Sequence, residues 1–374
     1  MCNMATSKWI ADGAHGNLAS TAANWDTPPA AGRDILFDAS SVVNCTFDIA
    51  LALGAYLQDT GYSGVVTQTA SFSVTSWLIK AGTFTPTSTY TLSCAGNFGR
   101  TGGAITYPGP RLIQGTGTFN VAAGIDFNDY RVTGAVTMSG YPDVIHAFQV
   151  DVGAELTIAA SATPYVQLYA GSTFVNNGKI HLGASSLFSI YARANQTIGS
   201  LGTIDGTGTL RLYLHSDASA SFAFTASADW AVSCPMSILS NHASNVLTVD
   251  LSASNYILSA PTITFGARVT FNGRASQIRC TTLIVNGAST TVTQGGFLIV
   301  EGTATVSNGT WAVNENATVD ALVQDGGTIT VASGKVLYYE KTLSQTGGSS
   351  TGTIAQFQGR KQPMPSRPVD VTNL

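Results

Sequence analysis

The chain has 374 residues, 44% hydrophobic and 10% charged, with a formal net charge of −4. That balance excludes a disordered protein, which would combine low hydrophobicity with high charge. It also excludes a nucleic-acid groove, because the 11 Arg and 6 Lys gather nowhere into the basic stripe that backbone binding needs, and no run approaches the ~20 apolar residues of a membrane-spanning helix.

Lysine and glutamate, the residues that helices commonly place on exposed faces, number only six and four. Thr and aromatic residues take their place, which is the composition of strands with short hydroxyls on their outer faces. The length could hold two or three domains, but a solenoid can use it as one unit, and composition does not shift before the last twenty residues. Cys2, Cys45, Cys94, Cys234 and Cys280 are odd in number and widely spaced. None sits in a Cys-x-x-Cys pair or near a His at metal spacing, so neither zinc nor a disulfide framework is implied. Buried thiols are expected instead, and no cofactor is expected.

Residues 1–38 form an opening segment rich in rings and turns: Trp9, Gly13, Gly16, Asn24-Trp25, Pro28-Pro29 and Gly32-Arg33-Asp34, leading into the apolar run Ile35-Leu36-Phe37. Met1 to Asp12 lacks the apolar stretch of a secretory signal. The open end of a solenoid exposes a cross-section of core and an unpaired edge that must be covered, and rings such as Trp9 and Trp25 suit that capping task. The alternative is a sugar-stacking pair of tryptophans.

Residues 39–357 repeat one phrase, a glycine and a hydroxyl residue followed by alternating apolar positions. It appears as Gly82-Thr83-Phe84-Thr85, Gly115-Thr116-Gly117-Thr118-Phe119-Asn120-Val121 and Gly206-Thr207-Gly208-Thr209-Leu210-Arg211-Leu212, with looser copies at Gly171 and Gly326. Turn residues feeding a short period-2 run, many times over, predict a ladder of short strands. Strands are expected at Val42 to Ile49, Gly64 to Thr69, Phe72 to Ile79, Tyr90 to Cys94, Thr118 to Ala122 and onward, and no helix is expected. Within Gly295 to Tyr339, Asn308-Gly309 and Asp325-Gly326 also suit two-residue hairpin turns. The short strands without Greek-key return loops favour an all-β, right-handed parallel β-helix over a sandwich.

Residues 358–374 change character. Arg360, Lys361, Pro363, Pro365, Arg367 and Pro368 suit an extended tail, either a frayed end or an assembly arm laid on a neighbouring subunit.

Asn24-Trp25 through Pro28, then Gly32-Arg33-Asp34-Ile35-Leu36-Phe37 and Val43-Asn44-Cys45-Thr46-Phe47-Asp48, are similar to the start of autotransporter passengers. Gly61-Tyr62-Ser63-Gly64-Val65-Val66-Thr67-Gln68 and Gly82-Thr83-Phe84-Thr85 are similar to their coil repeats. On these residues the chain resembles bacterial and phage parallel β-helix repeat proteins, of the autotransporter-passenger or pectate-lyase type. The resemblance implies the architecture; the fold hosts lyases, adhesins and virion parts alike.

Carboxylates are spread thinly, and the tightest group is Asp126, Asp129 and Arg131, with Asp143 and His146 shortly after. That group is the candidate for a glycan or calcium site, set against a solvated polar turn. The five histidines are isolated, and no Gly-x-Ser-x-Gly elbow or Walker loop occurs. The expectation is therefore no enzyme but a structural surface protein, a phage decoration, cement or fibre component on a virion or extracellular surface. Its partners would be other copies of itself or a capsid-like lattice, and surface glycans in the alternative role of secreted adhesin or carbohydrate binder. A polysaccharide lyase or hydrolase is the third reading.

Overall fold

Alternation in the short runs becomes alternation of burial: Ile35 and Phe37 point inward in Asp34–Phe37, Tyr56 and Gln58 in Ala55–Gln58, Trp77 and Ile79 in Ser76–Ile79. The computed structural model describes residues 5–106, 109–121, 125–273 and 277–357. They wind as a parallel β-solenoid of about 15 turns, 59% strand. Among the described residues the only helical element is a single 3-10 turn at Ala22–Asn24, and no helix is long and apolar enough to cross a membrane.

All the described strand ladders are parallel; the antiparallel pairing is the isolated bridge Trp9↔Trp25. A parallel ladder needs a long crossover between partners, so the hairpin alternative does not arise. Asn308-Gly309 lies inside the long strand Leu298–Val313 and Asp325-Gly326 inside Ala317–Val331, where the chain turns a corner. Adding a Cβ to Gly309 would bring it 2.7 Å from the Gly287 carbonyl, and one on Gly327 would lie 2.7 Å from the Gly309 carbonyl. Backbones stacked this closely, with φ of 77° and 62°, leave room for glycine alone. Gly82, Gly115, Gly117, Gly206 and Gly326 are as closely stacked, so the recurring glycine mostly marks stacked corners, while a Cβ at Gly171 would meet nothing within 4 Å.

The first coils repeat every 21 residues. That period stacks Ile35, Tyr56, Trp77, Phe98 and Phe119 in one inward column. Trp77 lies flat on Tyr56 at 3.8 Å between centroids, and Trp77 to Phe98 and Phe98 to Phe119 are also near-parallel. At the N-terminal end Trp9 and Trp25 meet edge-on at 5.0 Å and are almost wholly buried. Their ring N–H groups donate to the carbonyls of Val43 and Ala19. They close the core and are unavailable as a sugar platform.

Some expected strands are shorter or broken. Val42 to Ile49 keeps only Cys45–Phe47, and Phe72 to Ile79 splits at Thr75 into Phe72–Val74 and Ser76–Ile79, because Val74 and Ile79 must both face inward across a corner. Cys45, Cys94, Cys234 and Cys280 are free and buried. Burial raises all four thiols, Cys94 and Cys234 to about 11 and Cys280 to about 12, which keeps them protonated and unreactive at neutral pH. Arg360, Lys361, Pro363, Pro365, Arg367 and Pro368 lie outside the described residues, as does Cys2.

Candidate functional site

The strand Ile125–Val132 breaks strict alternation. Phe127 and Tyr130 are both fully buried, which places two consecutive residues, Asn128 and Asp129, between inward positions. The register against Pro142–Val150 shifts at the same point. This is a β-bulge, and its effect is to re-aim side chains. Asp129 turns to one side, where it takes a 2.5 Å bond from Arg111 Nε and lies 2.8 Å from His146 Nδ1. Arg131 donates through Nε and Nη2 to Asp151, which also accepts from Gln149. Asp126 stands on the other side, in register with Asp143 on the neighbouring strand. The three residues grouped by sequence are therefore divided between two neighbouring hollows.

The larger hollow is a cleft of about 570 Å³. Two outward rows build it from successive coils. The first runs Asp126, Asp143, Tyr165 and continues past the cleft's lining to Ser189 and Arg211. The second runs Gln167, Tyr191, Tyr213, two residues further along the same strands. Between the rows Val166, Ile190 and Leu212 point into the core, so period-2 alternation delivers both rows to one face. Coil length changes here: Asp126 to Asp143 is 17 residues, Asp143 to Tyr165 is 22 and Tyr165 to Ser189 is 24. The longer coils carry Tyr169, Arg193, His215 and Asp217 round the rim.

The aromatic wall is continuous. Tyr165 to Tyr191 is 5.0 Å between centroids, Tyr191 to Tyr213 4.8 Å and Tyr191 to His215 5.4 Å. Tyr169, 45% exposed, stands at the mouth. Its N–H donates to Ser172 Oγ and its carbonyl accepts from Gln196 Nε2 at 2.6 Å. Arg193 lies 5.9 Å from the Tyr169 ring centre, donates from Nε to Gln167 Oε1 at 2.8 Å, and grips both oxygens of Asp217 at 2.5 and 3.2 Å. Its side chain is only 15% exposed, so a buried fork fixes three neighbours at once.

Charge is distributed unevenly along the cleft. Burial, and then the negative charge of Asp126, pushes the Asp143 carboxyl up to about 6, although the Gln167 amide, Arg193 and His215 pull the other way. Asp126 is itself raised by burial. Asp143 Oδ1 is buried with no hydrogen-bond partner. At the opposite rim, hydrogen bonding from Arg193 and then from His215 Nδ1, 2.6 Å away, pulls Asp217 down to about 2. One end thus presents two half-buried carboxyl groups side by side, and the other an ion pair.

Among the described residues no group of three or more His, Cys, Asp or Glu is arranged to hold a metal ion. Of the residues singled out from sequence, Asp126 and Asp143 line the cleft with His146, while Asp129 and Arg131 line the smaller hollow beside it. Tyr165, Gln167, Tyr191, Arg193, His215 and Asp217 escaped because they lie on different coils. For Tyr165, Gln167 and Tyr191 a signal exists in the repeated polar-apolar-polar triplet Tyr165-Val166-Gln167, Ser189-Ile190-Tyr191, Arg211-Leu212-Tyr213, one coil apart. Comparison of the chain with protein-family models, curated proteins and solved structures gives no match.

Proposed function

We propose that this chain is a structural surface solenoid, of the kind displayed on a phage virion or a bacterial surface, and that its cleft binds a carbohydrate chain. The observation that carries the reading is the cleft's composition: an exposed ring at the mouth and a tyrosine wall beside Asp143, Gln167, Arg193 and Asp217. Sugars offer apolar C–H faces that stack on rings and hydroxyls that need both donors and acceptors. A concave site with a few convergent polar groups meets both needs. The cleft spans several successive coils, so it suits several sugar units better than one.

Affinity electrophoresis through gels containing neutral and acidic polysaccharides tests this. The native protein should be retarded by at least one polysaccharide, and Tyr165→Ala and Tyr169→Ala should abolish the retardation. Equal mobility in every gel, or retardation that both variants retain, would overturn it.

A second reading, assembly with further copies, draws on a different place. The strand Val336–Thr351 pairs along its length with Ala317–Val331, but on its other side only Val336 to Tyr339 meet Thr353–Gln356. Among the described residues the edge from Thr342 to Thr351 is open, and open edges pair with other chains. Sedimentation velocity across a concentration series tests it, and a single monomeric species throughout would sink it.

A further inference from the structure

We propose that the cleft hydrolyses the glycan it holds, with Asp143 as proton donor and Asp126 as nucleophile, and that the substrate is a neutral hexose or N-acetylhexosamine polymer rather than a polyuronate. The proposal rests on the carbohydrate-binding reading and goes further than it. Two features of the geometry support it. Asp126 and Asp143 occupy the same register on adjacent parallel strands, and strand backbones so paired lie about 4.8 Å apart. Carboxyl groups about 5–5.5 Å apart are the spacing of retaining glycoside hydrolysis, in which one is the acid and the other attacks carbon. Asp126 and Asp143 are also both half-buried in the lining of the same cleft, which sets the two carboxyl groups beside whatever it holds.

The Asp143 carboxyl is also shifted in the direction an acid needs. Burial and the charge of Asp126 hold the Asp143 proton up to about pH 6. Asp126 is raised by burial, and the proposed division of roles has a neutral Asp143 beside an ionised Asp126. In the first step the Asp143 proton passes to the glycosidic oxygen as its bond to C1 breaks, and an Asp126 oxygen bonds to C1. In the second, water attacks C1 and gives a proton to the Asp143 carboxylate, and the ester bond to Asp126 breaks. Atoms and charge balance with water as the only co-reactant. The preference for neutral sugars follows from the same charges. A uronate would meet Asp126, Asp143 and Asp217, while Arg193 is already committed to Asp217.

The full-length protein would be incubated with dextran, laminarin, xylan, galactomannan and chitin oligosaccharides, and with polygalacturonate and alginate. Binding and new reducing ends are scored separately between pH 4 and 8. Expected are new reducing ends from at least one neutral glycan and none from the polyuronates. The rate should fall as pH rises through about 6, with Asp143, Asp126, His146, His215, Arg193 and Asp217 the charged groups facing the bond. Asp143→Asn and Asp126→Asn should each lower the rate at least about 100-fold while retaining retardation by the same glycan and an unchanged β circular dichroism spectrum. Binding without new reducing ends would overturn hydrolysis and leave the binding reading standing; no binding to any glycan would overturn both. Cleavage undiminished in both Asn variants, or confined to polyuronates, would overturn the assignment made here.

Discussion

Tyr56 and Trp77 lie face to face one coil apart, their ring centroids 3.8 Å apart and their planes within 4° of parallel. The pairing is a direct consequence of the 21-residue coil, which returns the chain to the same register with Tyr56 opposite Trp77. Trp77 also touches Phe84 edge-on at 4.7 Å and continues the stack to Phe98. Trp77→Ala would open a cavity touching three coils and should cost about 3–5 kcal/mol. A lowered urea midpoint by far-ultraviolet circular dichroism checks it. Because each coil contacts mainly its neighbours, the loss should appear first in the N-terminal coils. A midpoint unchanged from the native protein would show that the column is not a stability element.

The buried carboxyl at Asp143 should make stability fall as pH rises. Its folded pKa is about 6 against the 3.8 of an ordinary aspartate, so the folded state binds more protons than the unfolded state between those values. The cost of the charge is therefore absent near pH 4 and fully present above about pH 7. Two pKa units bound the effect at about 3 kcal/mol, less whatever solvent screening removes. Asp143→Asn should raise the melting temperature at pH 8 and leave it unchanged at pH 4. Equal shifts at both pH values would show that Asp143 is not held protonated by its surroundings.

Arg193 organises the opposite rim, and its removal should be visible at Asp217. Hydrogen bonding from Arg193 is the largest cause holding Asp217 down to about 2. A depressed carboxyl contributes stability above its unfolded pKa, and that contribution is lost as pH falls through the folded value. Arg193→Gln should move the Asp217 titration back toward the ordinary carboxylate range, followed by carbon-detected NMR. It should also raise Asp143 further, since Arg193 is one of the charges that lower it. An unmoved Asp217 would mean that His215 alone sets its charge.

Much of the architecture was legible because it is written locally. Gly82-Thr83-Phe84 and Gly206-Thr207-Gly208-Thr209-Leu210 each name a corner and an inward residue, and Phe84 and Leu210 are both fully buried. The choice of parallel coils over hairpins rested on the absence of return loops, and the ladders show it was sound. The 21-residue step from Tyr56 to Trp77, Phe98 and Phe119 was visible in principle but was masked by the shorter spacing of turns within each coil. The cleft was less accessible. Asp126 and Asp129 are three residues apart, and a bulge at Asn128 sends them to different hollows. Asp143, Arg193 and Asp217 converge only once coil length is known, since none of them belongs to a repeated triplet.

The corner glycines allow a test that separates backbone strain from crowding. Gly153 and Gly327 both have positive φ, 76° and 62°, so alanine at either must enter the left-handed region at a cost of about 1–2 kcal/mol. Their surroundings differ. A Cβ at Gly153 would have nothing within 4 Å, whereas at Gly327 it would lie 2.7 Å from the Gly309 carbonyl and 3.0 Å from the Val306 side chain. Backbone on an adjacent coil cannot move aside without disturbing the ladder that holds it, so crowding adds to strain at Gly327 alone. Gly327→Ala should therefore lower the urea midpoint clearly more than Gly153→Ala, and Gly327→Val more again. If the two alanine variants lose the same stability, the stacked corners are looser than their spacing indicates, and the recurrence of glycine there would reflect backbone conformation alone.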